Sequence, residues 1–79
     1  MSERIIEGSE LAAFAKQCRE GANKNRAEAA RELNIARPTV FQAEENPERS
    51  LFNVRKQLIE KYSDYEVVGP VYLVRTKKQ

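Results

Sequence analysis

The chain has 79 residues, of which 41% are hydrophobic and 33% are charged, and its formal net charge is +2. This length allows one domain with one small core, and the composition excludes a fibrous or intrinsically disordered protein. One cysteine and no histidine are present, which excludes an internal disulfide and argues against a zinc site or a histidine general base.

The sequence carries no pattern of a signal peptide or of a membrane span, since no apolar run approaches about 20 residues. We therefore expect a cytoplasmic protein that does not enter a membrane. It also lacks a glycine-rich phosphate loop and a metal-ligand cluster. We expect no enzymatic activity, no cofactor, no metal and no small-molecule ligand. The net charge is too small to indicate a nucleic-acid partner by itself.

The N-terminal part predicts a short apolar segment followed by a helix. Ile5 and Ile6 stand between charged residues, as in a brief edge strand or a tail that packs only its isoleucines. Ser9 is a candidate N-cap for the helix of residues 10–22. The apolar residues of this helix fall on one face at helical spacing, and they are Leu11, Phe14, Ala15, Cys18 and Ala22.

Residues 26–45 predict two short helices joined by a tight turn. The first spans Arg26–Leu33 and follows Asn25, whose side-chain oxygen can accept a hydrogen bond from the first turn. Asn34 can adopt the left-handed conformation that ends this helix. The second spans Arg37–Glu45 and places Pro38 in its first turn, where a missing N–H costs nothing.

A small residue in the first helix and apolar residues around the turn can fix the angle between the two helices. They are Ala30, Leu33, Ile35 and Val40. At these spacings the segment resembles the helix-turn-helix of the lambda-repressor family of DNA-binding proteins, also called the Cro/CI or XRE-type family. The turn glycine common in the family is Asn34 here, and the glutamine that often opens the first motif helix is Arg26.

This resemblance covers about residues 10–62, and it implies a four-helix DNA-binding domain whose recognition helix is about residues 37–45. Asn46 and Pro47 end that helix, and Ser50 is a candidate N-cap for a fourth helix that runs to about residue 62. The apolar face of this helix is predicted at Leu51, Val54, Leu58, Ile59 and Tyr62. Its solvated face is predicted at Arg55, Lys56 and Lys61.

Residues 65–76, YEVVGPVYLVRT, predict a β segment because they are rich in β-branched and aromatic residues. Gly69 and Pro70 interrupt it, which leaves open a hairpin with a wide turn or one bent strand. Apolar residues occupy both faces, with Tyr65, Val67, Val71 and Leu73 on one and Val68, Tyr72 and Val74 on the other. One small domain can cover one face. We therefore expect a homodimer through Val67, Val68, Val71, Tyr72, Leu73 and Val74.

The expected fold class is accordingly mainly α with a small β element. Residues 1–79 form a single domain, with a helical helix-turn-helix core and a C-terminal β-strand or hairpin that serves dimerisation. Strands at both ends of a helical middle are similar to the layout of the small phage Cro repressors. The likeness is one of topology only.

The resemblance assigns Arg37, Pro38 and Gln42 to positions that meet base edges in the major groove. Arg37 can hold a guanine bidentately and Gln42 can read an adenine, while Phe41 can lie against a thymine methyl. The alternatives are that Arg37 is an ordinary solvated side chain and that Phe41 packs against the fourth helix. Asn25, Arg26 and Thr39 are expected at phosphates.

One pair is expected to be structural. In some repressors of this family an arginine late in the first helix binds a glutamate late in the recognition helix, and Arg19 and Glu44 occupy those positions here. A pair shielded from water would hold the two helices together, whereas a loose surface pair would contribute about 0 to 1 kcal/mol.

The sequence thus predicts a small homodimeric transcriptional regulator that reads a palindromic operator in double-stranded DNA. An alternative is the antitoxin of a toxin–antitoxin pair, which would use the same core for DNA and a terminal segment for a toxin partner. A third is a helical interaction module that binds no nucleic acid. Only the first two predict DNA affinity that falls steeply with salt.

Overall fold

A computed structural model describes residues 3–6, 8–68 and 73–77 of the chain. These residues form a mainly α-helical structure with a small antiparallel sheet, which confirms the predicted fold class. The elements in chain order are β1 (Glu3–Ile5), α1 (Gly8–Gly21), α2 (Arg26–Leu33), α3 (Arg37–Glu45), α4 (Phe52–Tyr62), β2 (Tyr65–Val68) and β3 (Leu73–Thr76). In the described part of the chain, every helix falls short of the length and apolar character needed to cross a membrane.

The core lies between α1, α4, the α2–α3 pair and one face of the sheet. The predicted apolar face of α1 is buried at Leu11, Phe14, Ala15 and Cys18. The Phe14 ring meets the ring of Tyr65 edge-on, with 5.5 Å between the centroids. Because edge-to-face contact is the preferred arrangement of two aromatic rings, it ties α1 to the sheet.

The turn between α2 and α3 forms by the local chemistry that the sequence predicts. The side chain of Asn25 accepts a hydrogen bond from the Glu28 N–H at 2.8 Å, and the Glu28 carboxylate accepts one from the Asn25 N–H at 2.9 Å. At the other end Asn34 has a φ of 59°, in the left-handed region. The Ile35 N–H donates to the Ala30 carbonyl at 3.0 Å. Both ends of α2 are therefore closed, and the chain turns directly into α3.

The predicted starts of two other helices are wrong. Ser9 lies inside the first turn of α1, which begins at Gly8. Ser50 does not cap α4, because Leu51 occupies the N-cap position and makes no side-chain capping bond. α1 thus begins one residue before Ser9, and α4 begins two residues after Ser50.

Arg55 was predicted to be solvated, and this is also wrong. The side chain is buried and donates to three backbone carbonyls: Ala43 at 2.8 Å, Asn46 at 2.8 Å and Arg49 at 2.9 Å. The last carbonyls of a helix have no partner within it. A guanidinium has enough N–H donors to bind several of them at once, so burial of Arg55 ties α4 to the end of α3.

The sheet has the order β1-β3-β2, so the C-terminal strand is central and the two other strands lie at its edges. β2 and β3 are antiparallel, with Val67 opposite Val74. The C-terminal segment is therefore a hairpin and not one bent strand. β1 pairs with β3 through Glu3 to Arg75 and Ile5 to Leu73, which makes the N-terminal apolar segment an edge strand.

Side chains of α4 close part of the outer edge of β2. The Val67 N–H donates to the Glu60 carboxylate at 2.9 Å, and the Lys56 ammonium donates to the Val67 carbonyl at 3.3 Å. Burial raises the pKa of Glu60, but the hydrogen bonds from Lys56 and from the Val67 N–H outweigh it and hold the pKa below its ordinary value. Because both outward backbone groups of Val67 are occupied, another strand cannot pair with them.

Candidate functional site

Helix α3 divides into a buried face and an outer face. Val40, Ala43 and Glu44 are buried, as their helical spacing predicts. Arg37 and Pro38 are exposed, and Phe41 retains 48% of its surface. About half of the Phe41 side chain is thus open to solvent, and its ring contacts Arg26 of α2. Gln42 and Thr39 are half-buried.

The carboxylate of Glu44 is the centre of the buried face. Its Oε2 accepts from Arg19 Nε at 2.7 Å, and its Oε1 accepts from Arg19 Nη2 at 2.9 Å. Arg26 Nε donates to the same Oε1 at 2.9 Å. The expected pair of Arg19 and Glu44 is present in its shielded form, because the Glu44 side chain is 0% exposed and that of Arg19 is 7% exposed. Arg26 adds α2 to a contact that was expected to join α1 and α3 alone.

In this cluster the arginine donors are paired with carboxylate and carbonyl acceptors. The hydrogen bond to Glu44 raises the pKa of Arg19 above its ordinary value, although burial acts in the opposite direction. A remaining donor, Arg19 Nη1, binds the Lys24 carbonyl at 2.6 Å. Across the described residues, no buried side-chain nitrogen or oxygen lacks a hydrogen-bond partner. A buried ion pair holds its geometry only when its remaining donors are satisfied in this way.

Two of the residues expected at phosphates are engaged within the chain itself. Arg26 binds Glu44 and also the carboxylate of Glu45, and its guanidinium lies 4.8 Å from the centroid of the Phe41 ring. The side-chain oxygen and the backbone N–H of Asn25 both form hydrogen bonds with Glu28 in the capping box. The third residue, Thr39, is half-buried on α3.

An open cleft lies between the N-terminal halves of α2 and α3. The structure brings together on its walls Arg19, Asn25, Arg26, Ala27, Arg37, Pro38 and Phe41. Three of the four residues predicted to read bases therefore share one surface with two of the three predicted at phosphates. Gln42 lies one position after Phe41 on α3.

Most cations near this cleft are neutralised by acidic neighbours. Lys16 binds Glu45 at 2.8 Å, and Lys24 binds Glu32 at 2.8 Å. Within the part of the chain that the structure describes, no acidic group lies within ion-pair distance of the exposed Arg37. Arg37 thus presents its positive charge and its planar set of donors at the first turn of α3.

The hairpin changes the predicted dimer surface. Val67 is 4% exposed and Val74 is 0% exposed, so both belong to the core of one chain and the prediction for them was wrong. Strict alternation along one continuous strand puts Val67 and Val74 on opposite faces of the β segment. The register of β2 against β3 instead places both valines on the inner face of the sheet. Val68 remains exposed at 36%. The Leu73 backbone pairs with Val68, and Val71 and Tyr72 lie outside the described residues.

Arg55 is the residue at this site that sequence reasoning missed. It lies four positions after Leu51 and four before Ile59, which places it on the apolar face of α4. A charged residue on such a face indicates a buried polar contact. That spacing was the available signal.

The described residues contain no cluster of three Cys, Asp or Glu side chains placed to hold a metal ion. Comparisons with protein-family models, with curated protein sequences and with solved structures find no significant match. The function is therefore inferred from the geometry of α2 and α3.

Replacing Arg19 tests the structural role of the buried pair. Arg19→Met would leave Glu44 with Arg26 as its remaining basic partner, and we expect a loss of about 3 kcal/mol in the free energy of unfolding. This corresponds to a fall of more than about 10 °C in melting temperature for a domain of this size, measured by circular dichroism. The double variant Arg19→Met/Glu44→Leu should recover most of the loss because no buried charge remains. An unchanged melting temperature for Arg19→Met would contradict a structural role.

Proposed function

We propose that this chain binds double-stranded DNA in a sequence-specific manner, with α3 as the recognition helix in the major groove. The observation that carries the proposal is the outer face of α3, which is exposed while the opposite face is fixed by the buried Glu44. An α-helix fits the width of the major groove and reads it from its N-terminal half. The resemblance to the lambda-repressor helix-turn-helix supports the same assignment.

The exposed side chains of α3 match the chemistry of base edges. Among the described residues no acidic group pairs with the Arg37 guanidinium, which suits bidentate binding of guanine O6 and N7. Gln42 follows Phe41 on the same helix and can pair with adenine. The exposed apolar ring of Phe41 suits the methyl group of thymine, and Pro38 lies beside it in the cleft. Thr39 is retained as a phosphate contact, which positions the helix without reading sequence.

The proposed mechanism is regulation of transcription by a homodimer. One domain of this size makes few base contacts, so two copies related by a two-fold axis supply useful affinity by binding both halves of a palindrome. Their recognition helices would enter successive major grooves about 34 Å apart. A single cysteine fits a reducing compartment, and we therefore propose the cytoplasm as its location.

The geometry of the sheet limits how two copies can meet. The edge of β2 is closed at Val67 by Lys56 and Glu60. The dimer contact is therefore proposed at the exposed Val68 and at the outer edge of β1. Val67 and Val74 are not part of the proposed dimer contact because they are core residues.

Selection of bound sequences from a random pool of duplexes tests the DNA-binding proposal. We expect the unsubstituted protein to select a palindromic DNA sequence. Arg37→Ala and Gln42→Ala should each lose the preference at particular base pairs, and each substitution should cost about 1 to 3 kcal/mol of binding free energy at the base that the side chain reads. Arg31→Ala is a matched control because Arg31 is an exposed arginine on α2 that is not among the residues lining the cleft. Preferences that neither Arg37→Ala nor Gln42→Ala changes would remove these residues from the site, and absence of any salt-dependent binding would refute the function.

The dimer contact is tested by sedimentation equilibrium. We expect Val68→Lys to weaken association by at least about tenfold, because each contact occurs twice in a two-fold interface. Asn53→Lys, which adds the same charge at an exposed position of α4, should leave association unchanged. A point substitution is required because deletion of the hairpin would remove Val67 and Val74 from the core. Equal association of Val68→Lys and the natural chain would place the interface elsewhere.

A further inference from the structure

The ring of Phe41 is held from one side by a cation. The Arg26 guanidinium carbon lies 4.8 Å from the ring centroid, within the range of a cation–π contact. The ring nevertheless keeps 48% of its surface exposed on the outer face of α3. An exposed phenylalanine normally moves among several rotamers, and a cation over one face restricts that movement.

The guanidinium is itself fixed by acidic groups of α3. Arg26 Nε donates to the buried Glu44 carboxylate at 2.9 Å, and Arg26 Nη2 donates to Glu45. Glu45 is held in turn by Lys16 at 2.8 Å. The Arg26 side chain is 27% exposed. Two of its three donor nitrogens, Nε and Nη2, are thus bound within the protein, which leaves fewer donors for a phosphate.

We propose that Arg26 is a positioning residue that orients the Phe41 ring against the 5-methyl group of a thymine, and that it is not a phosphate contact. The inference rests on the proposed DNA-binding function and names one chemical feature that the site recognises. The guanidinium covers one face of the ring and fixes its tilt. The remaining exposed surface of the ring is then preorganised for a methyl group in the major groove.

Replacement of thymine by uracil tests this assignment because it removes only the methyl group. The probe is a duplex of the sequence that the natural chain selects, with each thymine of a half-site replaced in turn. We expect one position at which uracil lowers the affinity of the natural chain by about fourfold, the value of one buried methyl. Phe41→Ala should bind the thymine and uracil duplexes equally.

Variants of Arg26 separate the positioning role from a phosphate role. Arg26→Lys keeps a charge that can reach a phosphate but lacks the planar fork that holds the guanidinium over the ring. We expect Arg26→Lys and Arg26→Gln to reduce the preference for thymine over uracil to below about twofold, with a change in the salt dependence of affinity no larger than that of the control Arg31→Gln. Melting temperatures identify variants that have lost the fold.

The opposite pattern would overturn the inference. A phosphate contact predicts that Arg26→Lys behaves as the natural chain and that Arg26→Gln lowers affinity for every duplex, reduces the salt slope by about one and keeps the thymine preference. Absence of a thymine whose methyl matters would also overturn it while leaving the proposed function standing. If the chain showed no sequence-selective binding to DNA, both this inference and the proposed function would be refuted.

A measurement on the free protein checks the geometry independently of DNA. The Arg26 guanidinium carbon lies over the Phe41 ring, so the nuclear magnetic resonance signals of the guanidinium protons should be shifted upfield by the ring current. The shift should disappear in Phe41→Ala. A signal that the substitution does not move would contradict the placement of the ring.

Discussion

The buried carboxylate of Glu44 determines how α3 packs against α1 and α2. An unpaired charge in the core would be costly, so α3 must turn this residue toward Arg19 of α1 and Arg26 of α2. That requirement fixes the rotation of α3 about its axis. Once the rotation is fixed, Arg37, Pro38 and Phe41 lie on the outer surface.

Backbone geometry and hydrogen bonds hold the start and the end of α3. Its first turn follows directly from the left-handed Asn34, and its last carbonyls accept hydrogen bonds from the buried Arg55. A short helix fixed at its start, at its end and along its inner face has little freedom to tilt. The proposed reading of DNA needs such a helix, because base contacts require side chains held near one geometry before the duplex arrives.

Local chemistry made α2 and α3 predictable. Asn25, Asn34 and Pro38 mark helix ends by their own conformational preferences, and the observed bounds match the predicted ones. The residues that were misjudged depend on distant parts of the chain. Arg55 is buried because α3 ends beside it, and Val67 and Val74 share the inner face because of the register of β2 against β3. The acidic partners of Arg26 lie 18 and 19 positions away, so local sequence gave no sign that this side chain is engaged.

The most direct test of the central claim is a titration of the isotope-labelled protein with its selected duplex, followed by the backbone amide resonances. If the buried Glu44 fixes α3 with its outer face toward DNA, the largest shifts will occur at residues 37–42. The amides around Leu58 and Ile59, which lie in the core, will change little because a preorganised domain would bind without rearrangement. Shifts centred on the sheet or on α4, with α3 unaffected, would contradict the account.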